Sequence, residues 1–327
     1  MKKILIIRFS SIGDIVLTTP VLRCIHEQVK NVEIHYLTKA NFQSLLSANP
    51  YITKIHLLGD NLKATISALK KEQFDEVIDL HYNLRTWRVK SALHIKSYSF
   101  AKLNWEKFLL VKFKVNRMPT VHIVDRYLET VKHLGVVNDG KGLDFFIPPS
   151  VSVEMNSLPE THQQGFIAIV IGAAHFTKRL PIQTAIKVIK GLNEPVVLLG
   201  GPEDASNGEL IAKEVGAMVF NGCGKFSLLE SARLLELSKC VLSNDTGLMH
   251  IAAALDKQTV SVWGNTVPEL GMYSYFNKQS KNKPIVLEIK DLKCRPCSKI
   301  GFDKCPKGHF KCMEMISAST IVKQLKG

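Results

Sequence analysis

The chain has 327 residues, 46% of them hydrophobic, with a formal net charge of +14. That length fits two ordinary domains, and each half has enough apolar residues for its own core. No run approaches the ~20 apolar residues of a membrane-spanning helix, and the opening segment is too short and too interrupted by polar residues for a secretory signal, so the seven cysteines are expected reduced in the cytoplasm.

The first strand is expected at residues 3–7. It runs into Ser10-Ser11-Ile12-Gly13-Asp14 and then a helix over 15–29, broken or kinked near Pro20. The turn lacks the GxGxxG spacing of a dinucleotide site, which disfavours NAD. It offers one carboxylate, Asp14, at the carboxyl end of a strand, where open α/β sheets place ligands. Asp is also a common helix N-cap, so the residues alone leave a cap and a catalytic base both open. Further strands are expected at 32–37, 54–57, 76–80 and 94–98, with helices between them, such as 61–72, and another at 121–134. This alternation predicts a parallel sheet covered on both faces.

Between Arg85 and Arg117 lie nine basic residues and one acid, Glu106. Within this stretch, Trp105, Phe108, Leu109, Leu110 and Phe113 interleave with the lysines. Such a segment suits an anionic membrane surface, nucleic acid, or a plain helix with a solvated basic face. No nucleic-acid module accompanies it, so a membrane-borne anionic partner is the functional expectation.

Residues 151–165, rich in Pro, Ser and polar residues, read as a linker. The second half repeats the scheme, with strands at 166–171, 195–199, 217–220, 240–243 and 259–262. Helices fit 181–191, 204–215, 227–237 and 248–255, and the end, 313–326, reads as helical. Three strand ends carry phosphate-compatible chemistry. Lys178 and Arg179 follow the first strand, with Pro181 suited to a first helical turn. Gly200-Gly201-Pro202-Glu203-Asp204 follows the second; an acid there can hold ribose hydroxyls. The strand at 240–243 ends in Asn244-Asp245-Thr246-Gly247-Leu248-Met249-His250, which leaves free N–H groups at a helix start. Each has a structural alternative, capping or solvation, but three on one sheet favour a bound nucleotide. Two parallel-sheet domains of this kind are expected to face a central cleft that closes on two substrates.

The order of these motifs, with Trp263-Gly264-Asn265-Thr266 and the late cysteines, resembles glycosyltransferase family 9, the heptosyltransferases of lipopolysaccharide core assembly. The resemblance runs nearly end to end. It implies a GT-B fold: an acceptor-side Rossmann-like domain over 1–150, a linker over 151–165, a donor-nucleotide domain over 166–312 and a C-terminal helix over 313–327. It implies transfer of heptose from ADP-heptose to the lipopolysaccharide inner core with inversion. Carried over by position, Asp14 is the general base, and Ser10, Ser11 and Gly13 shape its turn and the acceptor side. Lys178 contacts the donor diphosphate or sugar, and Glu203 the ribose. The N–H groups of Thr246, Gly247 and Leu248 cradle phosphates, with Asp245 and His250 nearby. Leu180 stands where the family often has Trp, and the acid usual before Pro268 is missing. Another nucleotide-sugar donor therefore stays open, as does a non-catalytic nucleotide-sugar-binding protein.

No cofactor is expected, and no DxD pair marks a metal-dependent transferase. Cys294, Cys297, Cys305 and Cys312, with His309, have zinc-ligand types but not a standard finger spacing; packed, reduced cysteines are the alternative. The partners implied are an ADP-sugar, a lipid-linked anionic oligosaccharide and the inner-membrane surface, with no nucleic acid.

Overall fold

The computed structural model describes residues 1–327 and divides into two compact units, Met1–Lys102 with Val121–Pro148, and Leu103–Thr120 with Pro149–Gly327. In chain order the first unit holds β1 (Lys2–Ile7), α1 (Ile12–Val16), α2 (Thr19–Gln28), β2 (Val32–Lys39), β3 (Lys54–Leu58), α3 (Leu62–Lys71), β4 (Glu76–Asp79), α4 (Leu84–Leu93) and β5 (Lys96–Ser99). Its sheet is parallel throughout, in the order β3-β2-β1-β4-β5. Strand order reverses between β1 and β4, the crevice where such sheets bind ligands. Apolar residues of β1 and β4, among them Leu5, Ile7 and Val77, pack with Leu69 of α3 and Val89 of α4. The expected helix over 15–29 is two helices: Pro20 sits in the first turn of α2, where its missing N–H costs nothing.

The chain continues with α5 (Asn104–Phe108), which passes into a π-helical turn at Leu109–Phe113, and then α6 (Ile123–Leu128), which tightens to a 3-10 helix at Glu129–Leu134. The stretch Leu103–Thr120 lies within the first 150 residues but packs with the second unit. Leu110 and Met118 join Val267 and Leu270 in a small apolar cluster, and Lys114 Nζ donates to Pro296 O at 2.6 Å. The segment read as a linker contains a short helix, α7 (Glu160–Gln163).

The second unit follows as β6 (Ile167–Val170), α8 (Ile182–Leu192), β7 (Val196–Leu199), α9 (Ala205–Val215), β8 (Val219–Asn221), α10 (Leu228–Leu237), β9 (Val241–Asn244), α11 (Gly247–Ala254), β10 (Thr259–Trp263), β11 (Ile285–Glu288), α12 (Lys311–Glu314) and α13 (Ala318–Lys326). The order β11-β10-β9-β6-β7-β8 is again parallel and doubly wound, with the reversal between β6 and β9. Its central strands are fully buried apolar runs, Ile-Ala-Ile-Val in β6 and Val-Val-Leu-Leu in β7, the composition of strands covered on both faces. Pro181 is the N-cap of α8 rather than part of its first turn. The edge strand β11 has no counterpart in the sequence reading. No helix is long and apolar enough to cross a membrane.

Candidate active site

In the first unit, the turn after β1 is built around Arg8. Its Nε donates to Ser10 O at 2.7 Å, and Nη1 donates to Leu80 O and to Tyr127 Oη. The remaining nitrogen, Nη2, pairs with Asp14 Oδ1 at 2.7 Å. Ser11 completes the anchoring, with its Oγ donating to Asp14 Oδ2 at 2.8 Å and its N–H to the same oxygen at 3.3 Å. Asp14 is therefore the third residue of α1 in a capping box with Ser11, and it is also a half-buried carboxylate aimed by a guanidinium at a sheet's reversal point. Burial acts to raise its pKa. Arg8 and the Ser11 hydrogen bonds outweigh burial and hold it below the usual Asp value. Each carboxylate oxygen keeps lone-pair capacity for a substrate hydroxyl.

The neighbouring turn, after β4, is fixed by Asp79. Its Oδ1 accepts from the N–H groups of His81 and Tyr82, and Oδ2 pairs with Lys90 at 2.8 Å. His81 rests against Phe9. Burial, then Arg8, lowers its pKa to about 4, so it is neutral at pH 7.

In the second unit, three strand-end loops converge. Lys178 Nζ pairs with Asp245 Oδ2 at 2.6 Å, and the same oxygen accepts from Thr266 Oγ1 at 2.8 Å. These residues follow β6, β9 and β10. Asn244 ties the loops together, its side-chain N–H group reaching the carbonyls of Val170, Ile171 and Gly172 while its Oδ1 accepts from Leu180 N–H. Thr246 is the N-cap of α11, with extended backbone, and supplies no side-chain cap bond. The first N–H groups of α11, at Gly247 and Leu248, have no acceptor within the helix by geometry and carry its positive dipole end. His250 is buried in the first turn of α11.

Arg179 is held within its own loop. Its Nε and Nη2 donate to Ala173 O at 2.9 and 2.8 Å, and Nη1 meets the buried Asp204 at 3.2 Å. Asp204 in turn accepts from Gly201 N–H. Gly172 is needed where this carboxylate crosses the loop, since a Cβ there would lie 2.3 Å from Asp204 Oδ2. Glu203 is exposed after β7 and folds back over Gly201.

Arg295, unremarked in the sequence reading, organises the loop after β10. Its guanidinium donates to the carbonyls of Trp263, Gly264 and Thr266 and to Glu288 Oε2. In the chain it lies between Cys294 and Cys297. These two cysteines, like Cys305 and Cys312, are free; Cys297 Sγ donates to Cys294 O, and Cys294 Sγ lies 3.8 Å from His309 Nε2. Burial raises the thiols of Cys297 and Cys312 to about 11, which keeps them protonated. The His, Cys and acid groups whose ligand atoms converge within 4.8 Å lie elsewhere, at His35, His56 and Glu72.

Two doubly wound parallel-sheet units, one carrying an anchored carboxylate and the other a helix start at the reversal point of its sheet, have the architecture of the GT-B class. The sequence model for glycosyltransferase family 9 (heptosyltransferase) matches residues 63–301. The chain belongs to that family, and it is a glycosyltransferase. Lipopolysaccharide heptosyltransferase 1 of Campylobacter coli is 26% identical over 294 residues, spanning 81% of this chain and 84% of the relative. Lipopolysaccharide heptosyltransferase 1 of Escherichia coli K12 is 25% identical over 294 residues, 82% of this chain and 89% of the relative. Among solved structures, the glycosyl transferase family 9 protein of Veillonella parvula aligns with a TM-score of 0.78 at 23% identity, covering 99% of this chain and 96% of that one. The Escherichia coli ADP-heptose heptosyltransferase II aligns at 0.73 and 19%, covering 100% and 98%. At these identities the structures speak to the fold.

Proposed function

We propose that this glycosyltransferase moves a heptose from ADP-heptose to a lipid-linked, anionic core oligosaccharide of lipopolysaccharide, with inversion at the anomeric carbon. The observation that carries the reading is the carboxylate of Asp14, anchored by Arg8 and Ser11 at the reversal point of the first sheet. A sugar hydroxyl is a weak nucleophile, and a positioned base contributes about 10²–10⁴-fold. Asp14 takes the hydroxyl proton as the oxygen attacks the anomeric carbon from the face opposite the diphosphate. One displacement inverts the configuration. The depressed pKa trades basicity for full ionisation at working pH.

On the donor side, charge grows on the departing diphosphate. The N–H groups opening α11 and the Lys178 ammonium stabilise it. Lys178 is held by Asp245 without donor, and the diphosphate takes over that partner. Glu203 holds the ribose, and His250 and Asp245 back the phosphate loop. Ser10, Ser11 and Gly13 shape the acceptor side. The relatives' names support the lipopolysaccharide acceptor, and Leu180 with the missing acid before Pro268 keeps another nucleotide-sugar donor as the second reading.

The basic, aromatic stretch 103–113 adds a location: the enzyme works peripherally on the cytoplasmic face of the inner membrane. Trp105, Phe108 and Phe113 are exposed, with Trp105 stacked on Phe108 and Phe113 edge-on to it, beside Lys107 and Lys112, a pattern suited to anionic headgroups. The test of the reading is the anomeric configuration of the product made from ADP-heptose, by NMR. Inversion supports it; retention, or donor use only with another nucleotide sugar, overturns it.

A further inference from the structure

On the β2–β3 side of the first sheet, two histidines and an acid meet. His35 lies on β2 and His56 on β3; Leu37 is the register partner of His56, so both imidazoles stand on one face of the sheet. Glu72 is the C-cap of α3, which packs on that face. His35 Nδ1 is 2.9 Å from His56 Nε2. The Glu72 carboxylate lies 3.9 Å from the first nitrogen and 4.0 Å from the second. Phe74 stands edge-on to both rings, at 5.1 and 5.9 Å, and fixes their orientation.

We infer that His35, His56 and Glu72 form a site for a divalent transition metal ion of the zinc or cobalt type. Ligands about 2.05 Å from such an ion lie about 2.9 Å apart at a right angle and about 3.3 Å apart at the tetrahedral angle. The nitrogen pair already has that spacing, and the carboxylate closes on it with a shift of about half an ångström or more. Two imidazoles and one carboxylate suit zinc, cobalt, nickel or copper rather than magnesium or calcium. Glu33 Oε2 lies 3.8 Å from His35 Nε2, on the far side of the ring, the place of the outer carboxylates that orient metal-bound histidines. The carbonyl end of α3 also favours a cation.

Two lysines face the site. Lys54 Nζ pairs with Glu72 Oε1 at 2.5 Å, and Lys3 Nζ lies 3.5 Å from Glu33 Oε2. Lys54 neutralises Glu72 when no metal is bound. Its side chain is half exposed, so it swings into solvent when an ion arrives. The ion would tie the end of α3 to β2 and β3, a stabilising role separate from sugar transfer.

The test uses the untagged full-length chain, stripped with chelator and titrated with Co2+ alone. Binding is read by visible absorption and by melting temperature. One equivalent should bind, raise the melting temperature and give a nitrogen- and oxygen-type spectrum without sulfur charge transfer. His56→Gln and Glu72→Gln should each weaken binding by at least about 10–100-fold, the loss seen on removing even outer partners. Their transferase turnover without added metal should match wild type. X-ray absorption of the wild-type cobalt complex decides the matter if a variant does not fold. A shell of imidazole nitrogen and oxygen supports the site, and a sulfur shell places the ion in the cysteine cluster and overturns it. Absence of binding below millimolar Co2+, or equal binding by wild type and both folded variants, also overturns it and leaves a hydrogen-bonded neutral histidine pair.

Discussion

Asp14 and Arg8 stand together or not at all. The carboxylate closes the first turn of α1, and Arg8 aligns it; in the proposed reaction it also faces the acceptor. Asp14→Asn keeps the shape and much of the capping. It should lower turnover by about 10²-fold or more while leaving donor affinity nearly unchanged; a variant with a tenth of wild-type turnover would remove the base assignment. Because the folded pKa of Asp14 is depressed, its ionised form and its pairing with Arg8 persist as pH falls past the usual Asp value. Both are lost only as pH drops through the lower, folded value. The acid limb of turnover should therefore lie below the ordinary carboxylate range. Arg8→Lys removes the planar fork and should move that limb to higher pH. An unmoved limb would show that Arg8 does not set the ionisation of Asp14. Lys178→Ala exposes a second effect, since it leaves the Asp245 carboxylate facing the diphosphate. Turnover over KM for donor should drop about 10–100-fold, as expected for a charged hydrogen bond, and adding Asp245→Asn should recover part of the loss. Additive losses in the double variant would show that the two residues do not share the donor site.

The strand-end loops explain what was legible in the chain and what was not. Central strands such as β6 and β7 are unbroken apolar runs, and their turn residues follow at once, so strands, helices and candidate loops could be read in order. Long-range partners leave no local trace. Nothing near Arg8 in the chain announces Leu80 or Tyr127, and nothing near Arg295 announces the carbonyls of 263–266. Arg179 looked like Lys178 in sequence, and only the fold shows that Asp204 claims it. The edge strand β11 is marked only by the three-residue apolar run Ile285-Val286-Leu287, all of it partly buried, after a polar, lysine-rich stretch, which is too short a signal to read as a strand. Arg295→Met would leave the Glu288 carboxylate, 9% exposed, without its partner and free several loop carbonyls. Breaking a buried pair costs about 3–5 kcal/mol, so the variant's melting temperature should drop clearly. Arg295→Lys should recover only part of the loss, having one donor group in place of the fork. A melting curve unchanged by either substitution would show that the loop after β10 is held by other contacts.

Across the whole molecule, the net charge of +14 is concentrated in the span from Arg85 to Arg117, and part of that span belongs to the second unit. Its exposed aromatic stack gives the excess charge an apolar partner. Charge reversal at Lys107 and Lys112 should reduce flotation with anionic vesicles, more so at low salt, where each lysine near the surface is worth about 1 kcal/mol. Donor affinity should not change, and equal flotation by wild type and variant would return the segment to an ordinary solvated face. The central claim is heptosyl transfer driven by Asp14. It is tested most directly by incubating wild type and Asp14→Asn with ADP-heptose and a set of truncated lipid-linked core acceptors, read by mass spectrometry. Wild type should add one heptosyl residue to one acceptor, and Asp14→Asn should add almost none in the same time. Equal product from both proteins, or no product from wild type with ADP-heptose while another nucleotide sugar is consumed, would contradict it.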